Sequence, residues 1–249
     1  MRILVANDDG IYSPGIATLA RVATRFGDVR VVAPDVEQSS AGHAITATRP
    51  VRFRPTHIFE NIEAYRVNGT PADCVALGAY HWDQVDVVLS GINLGLNLGN
   101  ATWHSGTLAA AKQAVLLGIR GIALSAPITD ETMDFTTLEP WVERALEALL
   151  AHDEPRLVNV NFPKEPRGVR WTAQAVDQYN GKVVPDTDPM GREHFWFTVI
   201  PLEQLREGTD LWAVDQGYVS LTPLRLDLTD HEELRRVAGS TQWERDDRV

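Results

Sequence analysis

Arg2-Ile3-Leu4-Val5-Ala6-Asn7-Asp8-Asp9-Gly10 is the stretch on which the reading of this chain turns. A short apolar run with branched side chains, stopped by Asn-Asp-Asp-Gly, reads as a buried strand that ends in a turn. In a parallel α/β sheet, ligands bind outside the carboxyl ends of the strands, so Asp8 and Asp9 stand where function usually resides. Adjacent ionised carboxylates repel each other, and a hard divalent cation is the common way to hold them together. A turn that also caps the next helix is the competing reading, because Asp-Gly is a common turn dipeptide.

Outward from this stretch, residues 15–23 carry apolar side chains at helical spacing and Val29-Arg30-Val31-Val32-Ala33 reads as a second strand, which together make a βαβ opening. Residues 40–70 break the rhythm with β-branched and Pro-containing segments at 44–51 and 64–67, read as an excursion of short strands. Regular alternation resumes with a helix from Pro71 to about Tyr80, a strand at 85–90, a Gly/Asn tract, a helix from about Thr107 to Leu117 and a strand at 122–125. A helix at about 138–151 and the strand 157–161 extend the series. Apolar strands alternating with helices predict a Rossmann-like, mostly parallel sheet covered on both faces. From Pro163 the pattern changes to strand-like segments at 169–173, 195–200 and 218–226. We therefore expect a catalytic core over 1–163 and a β-rich extension with a frayed tail over 164–249, within one structural unit.

Composition narrows the function classes. The chain has 249 residues, 44% hydrophobic and 23% charged, enough for one large α/β unit with a sizeable core. A net charge of -11 and a pI near 5.1 argue against binding duplex nucleic acid, which needs a basic stripe. The lone Cys74 cannot form an intrachain disulfide and reads as a small buried hydrophobe. No apolar run approaches membrane-spanning length, and the apolar start ends too soon, at Asn7, for a signal peptide. The expectation is a soluble, cytoplasmic protein with no membrane contact.

If the strands ending at Ala6, Ala33 and Ser90 are parallel, three loops converge: Asp8-Asp9, then Pro34-Asp35-Val36-Glu37-Gln38-Ser39, then Ser90-Gly91-Ile92-Asn93. The Asp pair, a hydroxyl or carbonyl from the second loop and the amide oxygen of Asn93 form an all-oxygen set suited to magnesium, manganese or calcium. Zinc spacing is absent. The tract from Gly91 to Asn100 is glycine-punctuated but is neither a Walker A motif nor a dinucleotide fingerprint. Its alternating Leu94, Leu96 and Leu98 suggest an ordered loop that tucks apolar groups inward, with a plain connector as the other reading. His104-Ser105-Gly106-Thr107 opens a helix whose free N–H groups and positive dipole end suit phosphate, although an ordinary Ser cap looks the same in sequence.

Asn7-Asp8-Asp9-Gly10, Ala33-Pro34 through Gln38-Ser39, Gly69-Thr70-Pro71-Ala72-Asp73-Cys74, Ser90-Gly91-Ile92-Asn93 with Asn97, and Ser105-Gly106-Thr107 together resemble the successive motifs of the SurE (survival protein E) family. Asp188-Pro189-Met190-Gly191-Arg192 with Trp196, and Gly217-Tyr218-Val219-Ser220-Leu221-Thr222-Pro223-Leu224, extend the resemblance over nearly the whole chain. It implies a metal-dependent phosphatase of nucleoside 5′-monophosphates, with 3′-monophosphates and polyphosphate left open as further substrates. It also implies one divalent ion per subunit, magnesium or manganese, on Asp8, Asp9, Ser39 and Asn93. Asn97, Ser105, Gly106 and Thr107 are the implied phosphate contacts, with Asn7 supporting them, and Asp8, Asp9 and Asn97 the implied catalytic groups. The β-rich extension is implied to assemble a homodimer or homotetramer. Many members have Tyr before Ser-Gly-Thr where this chain has His104.

His43 and His104 are candidate general acids, with solvated or packing roles as the alternative. Trp103 could stack on a base or simply pack, whereas Trp196 and Trp212 read as core or subunit contacts. An aspartyl-phosphate mechanism on Asp8 needs a second Asp at position 10, which is Gly. A dinucleotide oxidoreductase lacks its glycine fingerprint. A metal- and nucleotide-sensing module without turnover is the principal alternative to an enzyme.

Overall fold

The computed structural model describes residues 1–128, 134–176, 181–199 and 204–240. The tail expected beyond 240 lies outside these residues. Strand β1 (Arg2–Ala6) leads through the Asp-Asp turn to helix α1 (Pro14–Ala23) and strand β2 (Asp28–Pro34), as its periodicity predicts. Pro14 presets the first turn of α1, and Ser13 caps it by accepting from the Ile16 N–H. Helix α2 (Pro71–His81) starts with a full capping box between Thr70 and Asp73. Cys74, on this helix, is fully buried.

The remaining elements are β3 (Phe53–Thr56), β4 (Glu63–Val67), β5 (Val87–Leu94), α3 (Gly106–Leu116), β6 (Arg120–Ala126), α4 (Glu139–Leu150), β7 (Leu157–Asn161), β8 (Gly168–Trp171), β9 (Gly181–Thr187), β10 (Glu193–Val199), α5 (Asp210–Asp215), β11 (Tyr218–Pro223) and α6 (His231–Ser240). Nine strands form one sheet in the order β3-β4-β2-β1-β5-β6-β7-β11-β8. The run from β4 to β7 is parallel throughout, as expected. The chain winds from β1 outward through β2 to β4, then restarts on the other side of β1 with β5. The topological switch point thus falls between β1 and β5, where such sheets open a crevice for ligands.

Helices cover both faces. Ile3, Val5, Ile16, Leu19, Val142 and Leu146 join one core layer, whereas Leu4, Val32, Cys74, Val75, Val88 and Ala110 join the other. Alternation along β1 divides Ile3 and Val5 from Leu4 and Ala6. Helix α1 comes so close to β5 that a Cβ on Gly15 would sit 2.0 Å from the Ile92 carbonyl oxygen, so only glycine fits there.

Three local expectations differ from the structure. The first short strand of the 40–70 segment is Phe53–Thr56, and residues 44–51 are irregular. Pairing decides this: β3 lies antiparallel on β4, and β4 extends the main sheet beside β2. The β-rich extension is present as the β9–β10 hairpin, yet β11 and β8 join the main sheet beyond β7, with β11 antiparallel to β7. Strand β5 also continues into the glycine tract as far as Leu94. No helix among the described residues is long and apolar enough to cross a membrane.

Candidate active site

Four chain segments meet at the turn after β1. Asn7 is fully buried and its side-chain amide donates to the Gly10 carbonyl at 2.9 Å and to the Ser13 hydroxyl at 2.8 Å. These bonds fold the Asp-Asp turn onto the cap of α1. The Gln38 N–H donates to the Asp8 carbonyl at 2.8 Å and brings the second loop alongside. Leu94 N–H donates to Asp9 Oδ2 at 3.2 Å, which ties in the end of β5. Thr107 Oγ1 donates to Asp8 Oδ1 at 2.6 Å, which ties in the start of α3. At Gly106 a Cβ would lie 2.8 Å from both Cβ and Oδ2 of Asp8, so the absence of a side chain lets the helix end approach this carboxylate.

Both carboxyl groups are held above the usual carboxylate range. For Asp8 the main cause is burial, which hydrogen bonds from Thr107 oppose. For Asp9 it is burial again and then the charge of Asp8, which together push it up to about 6. Neither carboxylate has a cationic partner among the ion pairs of the described residues. A desolvated acidic pair of this kind is what a divalent cation would relieve.

A cavity of about 300 Å³ opens beside the pair, and Asp8, Ser39, Asn93, Asn97, His104 and Ser105 line it. Ser39 donates its hydroxyl to Glu37 Oε1 at 2.6 Å, and Asn93 donates its amide to the Gly95 carbonyl at 2.6 Å. Ser39 thereby spends its hydroxyl proton and Asn93 one of its two amide N–H groups, and the oxygen of each keeps its lone pairs. No group of three or more His, Cys, Asp or Glu residues with metal-holding geometry occurs among the described residues. The donor chemistry here is two carboxylates supplemented by neutral oxygens, which fits a hard cation.

The other sequence-nominated residues divide by position. Thr107 is fully buried with its hydroxyl committed to Asp8, so the start of α3 serves this carboxylate directly. Ser105 Oγ accepts from the Leu108 N–H at 3.0 Å, so it acts as the helix cap while lining the cavity. Asn7 lies beneath the turn and not on the cavity wall. His104 lines the cavity, whereas His43 pairs with Gln113 at 2.9 Å and borders a different one with Trp103. In the glycine tract Leu94 is 45% exposed, against the expected apolar tuck, and Leu96 and Leu98 are half-buried, whereas Asn97 is buried.

Several supporting residues escaped the sequence reading. The Asn97 N–H donates to Asn161 Oδ1 at 2.8 Å, and its carbonyl accepts from Asn159 Nδ2 at 2.7 Å. Its side-chain amide donates to Ser125 Oγ at 2.8 Å. Asp210 accepts from the N–H groups of Gly99 and Ala175 at 2.8 and 3.0 Å, and so fastens the same loop to the C-terminal part of the chain. The available signal was Asn159 and Asn161 in a strand buried on both faces, where polar side chains need partners.

The fold and site define an α/β protein with a desolvated carboxylate pair beside a cavity of mixed polar and apolar lining at the switch point of a doubly wound sheet. The chain belongs to the SurE family: the family model described as survival protein SurE matches residues 3–181. It is 48% identical over 244 residues to 5′-nucleotidase SurE 1 of Thermus thermophilus, covering 96% of this chain and 97% of that one. It is 46% identical over 236 residues to 5′-nucleotidase SurE of Deinococcus radiodurans, covering 92% and 88%. The crystal structure of the SurE protein from Aquifex aeolicus superposes with a TM-score of 0.83 at 37% identity, over 96% of this chain and 99% of that chain.

Proposed function

We propose that this chain is a 5′-nucleotidase that hydrolyses nucleoside 5′-monophosphates to nucleoside and phosphate. The observation that carries the reading is the desolvated Asp8–Asp9 pair, onto which four chain segments fold beside a cavity that Asp8, Ser39, Asn93 and Asn97 line. The relatives named 5′-nucleotidase, similar along nearly their whole length, support it.

In this reading Asp8, Asp9, Ser39 and Asn93 hold one divalent ion, magnesium or manganese. Such an ion, when bound, supplies charge neutralisation at the phosphoryl group and a more acidic water. Asn97 and the groups at Ser105 and Gly106 at the start of α3 hold the phosphoryl oxygens, where charge sits in the transition state, while Thr107, expected as a further phosphate contact, turns its hydroxyl and N–H to Asp8. The clamp on Asn97 from Asn159, Asn161 and Ser125 fixes its geometry before substrate arrives. Asp8 or Asp9 is the acceptor for the proton of the attacking water. His104, on the cavity wall, is placed to return a proton to the leaving alkoxide. Asn7 acts from below by holding the turn.

Self-association as a dimer or tetramer through the β9–β10 hairpin is part of the same proposal. Phe195 and Phe197 on one face of β10 and Trp196 on the other are 57%, 87% and 60% exposed, apolar side chains of the kind subunit contacts cover. The acidic net charge and single buried thiol support a cytoplasmic enzyme of small molecules that does not bind duplex nucleic acid.

Phosphate release from a panel of nucleoside 5′- and 3′-monophosphates and polyphosphate tests the proposal, with chelator-treated protein compared before and after resupply of manganese or magnesium. Metal-dependent release, highest on 5′-monophosphates, is expected. Folded protein that binds nucleotide but releases no phosphate with either metal overturns it in favour of a sensing module.

A further inference from the structure

On the same carboxyl edge of the sheet, away from the Asp pair, Arg54 on β3 stands directly opposite Arg66 on β4. Arg52 precedes Arg54 by two residues, and in extended chain that spacing repeats the same face. Arg52, Arg54 and Arg66 line a cavity of about 130 Å³ with Asp35 and Asn68. Asp35 follows the end of β2 and Asn68 follows the end of β4, so the cavity opens at the edge where β1 and β5 present the acidic site.

This arrangement gathers like charge, although Arg52 and Arg54 are exposed to screening solvent. Like charges directly opposed across a strand pair destabilise it. Arg21, Arg25 and Arg30 elsewhere in the chain pair with Glu139, Glu143 and Glu63, whereas Arg52, Arg54 and Arg66 form no ion pair among the described residues. In a chain of net charge -11, three guanidinium groups against one carboxylate around one cavity run against the overall balance. Charged side chains do protect edge strands, and that accounts for Arg54 on β3. It does not account for Arg66, because β4 lies between β3 and β2.

The rim is also built. Asn68 Oδ1 accepts from the Arg52 N–H at 2.7 Å, and the Asn68 carbonyl accepts from Arg49 Nη2 at 2.7 Å, which adds a fourth guanidinium at the margin. Guanidinium forks match phosphate oxygens in a two-pronged geometry, and the single carboxylate of Asp35 leaves the cavity with a positive surplus. We infer that Arg52, Arg54 and Arg66 form a second anion site, which binds a phosphate group of a small phosphorylated molecule two strands away from the Asp8–Asp9 pocket.

Calorimetric titration of the full chain, freed of metal by chelator, with pyrophosphate and in parallel with ADP tests this without reference to turnover. The wild type is expected to bind, more weakly as salt is raised. The pair Arg54→Gln with Arg66→Gln should weaken binding by about tenfold or more, and Arg54→Lys with Arg66→Lys by less, since charge remains but the forks are gone. Arg52→Gln reports on the same cavity from outside the opposed pair and should also weaken binding. Loss with both ligands supports a site that reads phosphate alone, and loss confined to ADP supports one that reads phosphate carried on a nucleoside. No binding by the wild type, or equal binding by the glutamine variants, overturns the inference whatever the outcome of the phosphatase assay.

Discussion

Thr107 Oγ1 donates to Asp8 Oδ1 at 2.6 Å across 99 residues of chain, so the first turn of α3 is built onto the carboxylate at the end of β1. The bond opposes the burial that raises the proton affinity of Asp8.

Thr107→Val keeps the shape and removes the donor. A buried hydrogen bond to a charged group contributes roughly 1.5–3 kcal/mol, so turnover should fall by about ten- to a hundredfold and half-maximal activity should need more divalent metal. A metal titration of phosphate release checks both. Asp8→Asn should abolish turnover and leave the fold intact by circular dichroism. Activity recovered at saturating metal would remove Asp8 from the proposed ligand set.

Asp9 sets a pH signature of the metal-free protein. Its folded value of about 6 lies above the ordinary carboxylate value of 3.8, so the folded state holds the proton more tightly. Stability from this group is therefore present at low pH and declines as pH rises from about 4 to about 6. Asp9→Asn should melt higher than the wild type in chelator at pH 7, with the difference closing near pH 4. Divalent metal at pH 7 should raise the melting temperature of the wild type and not of the variant.

Gly106→Ala places a methyl 2.8 Å from Asp8 Cβ and Oδ2 at the start of a helix, where alanine itself is well tolerated. Activity should drop by about two orders of magnitude if Asp8 is displaced by even an ångström. Ser105→Ala, by contrast, should cost about 1 kcal/mol of stability through the lost cap, read from urea unfolding.

Asp210→Ala should destabilise the fold more than any of these. It leaves the N–H groups of Gly99 and Ala175 without their acceptor, and Asp210 itself is fully buried. A loss of roughly 2–4 kcal/mol is expected in urea unfolding, with turnover falling alongside because the Asn97 loop is no longer held.

Much of this architecture was legible from local pattern. Apolar runs marked β1, β2, β6 and β7, helical spacing marked α1 to α4, and Pro71 and Ser105 stood at helix starts, because these signals arise within a few residues. The Asp8-Asp9 turn and Asn93 were nominated from strand-end position, Ser105 from the helix start and Ser39 from the family resemblance, and the structure brings Asp8, Ser39, Asn93 and Ser105 around one cavity. Tertiary structure decided what depends on distant partners. The strand at 53–56, the addition of β11 and β8 to the main sheet and the opposition of Arg54 to Arg66 are all matters of pairing and register, which no local period specifies. The same holds for the clamp on Asn97 and for Thr107, whose hydroxyl serves Asp8. A side chain's hydrogen-bond partner is chosen by the packing of segments far apart in the chain, and only the folded molecule makes that choice.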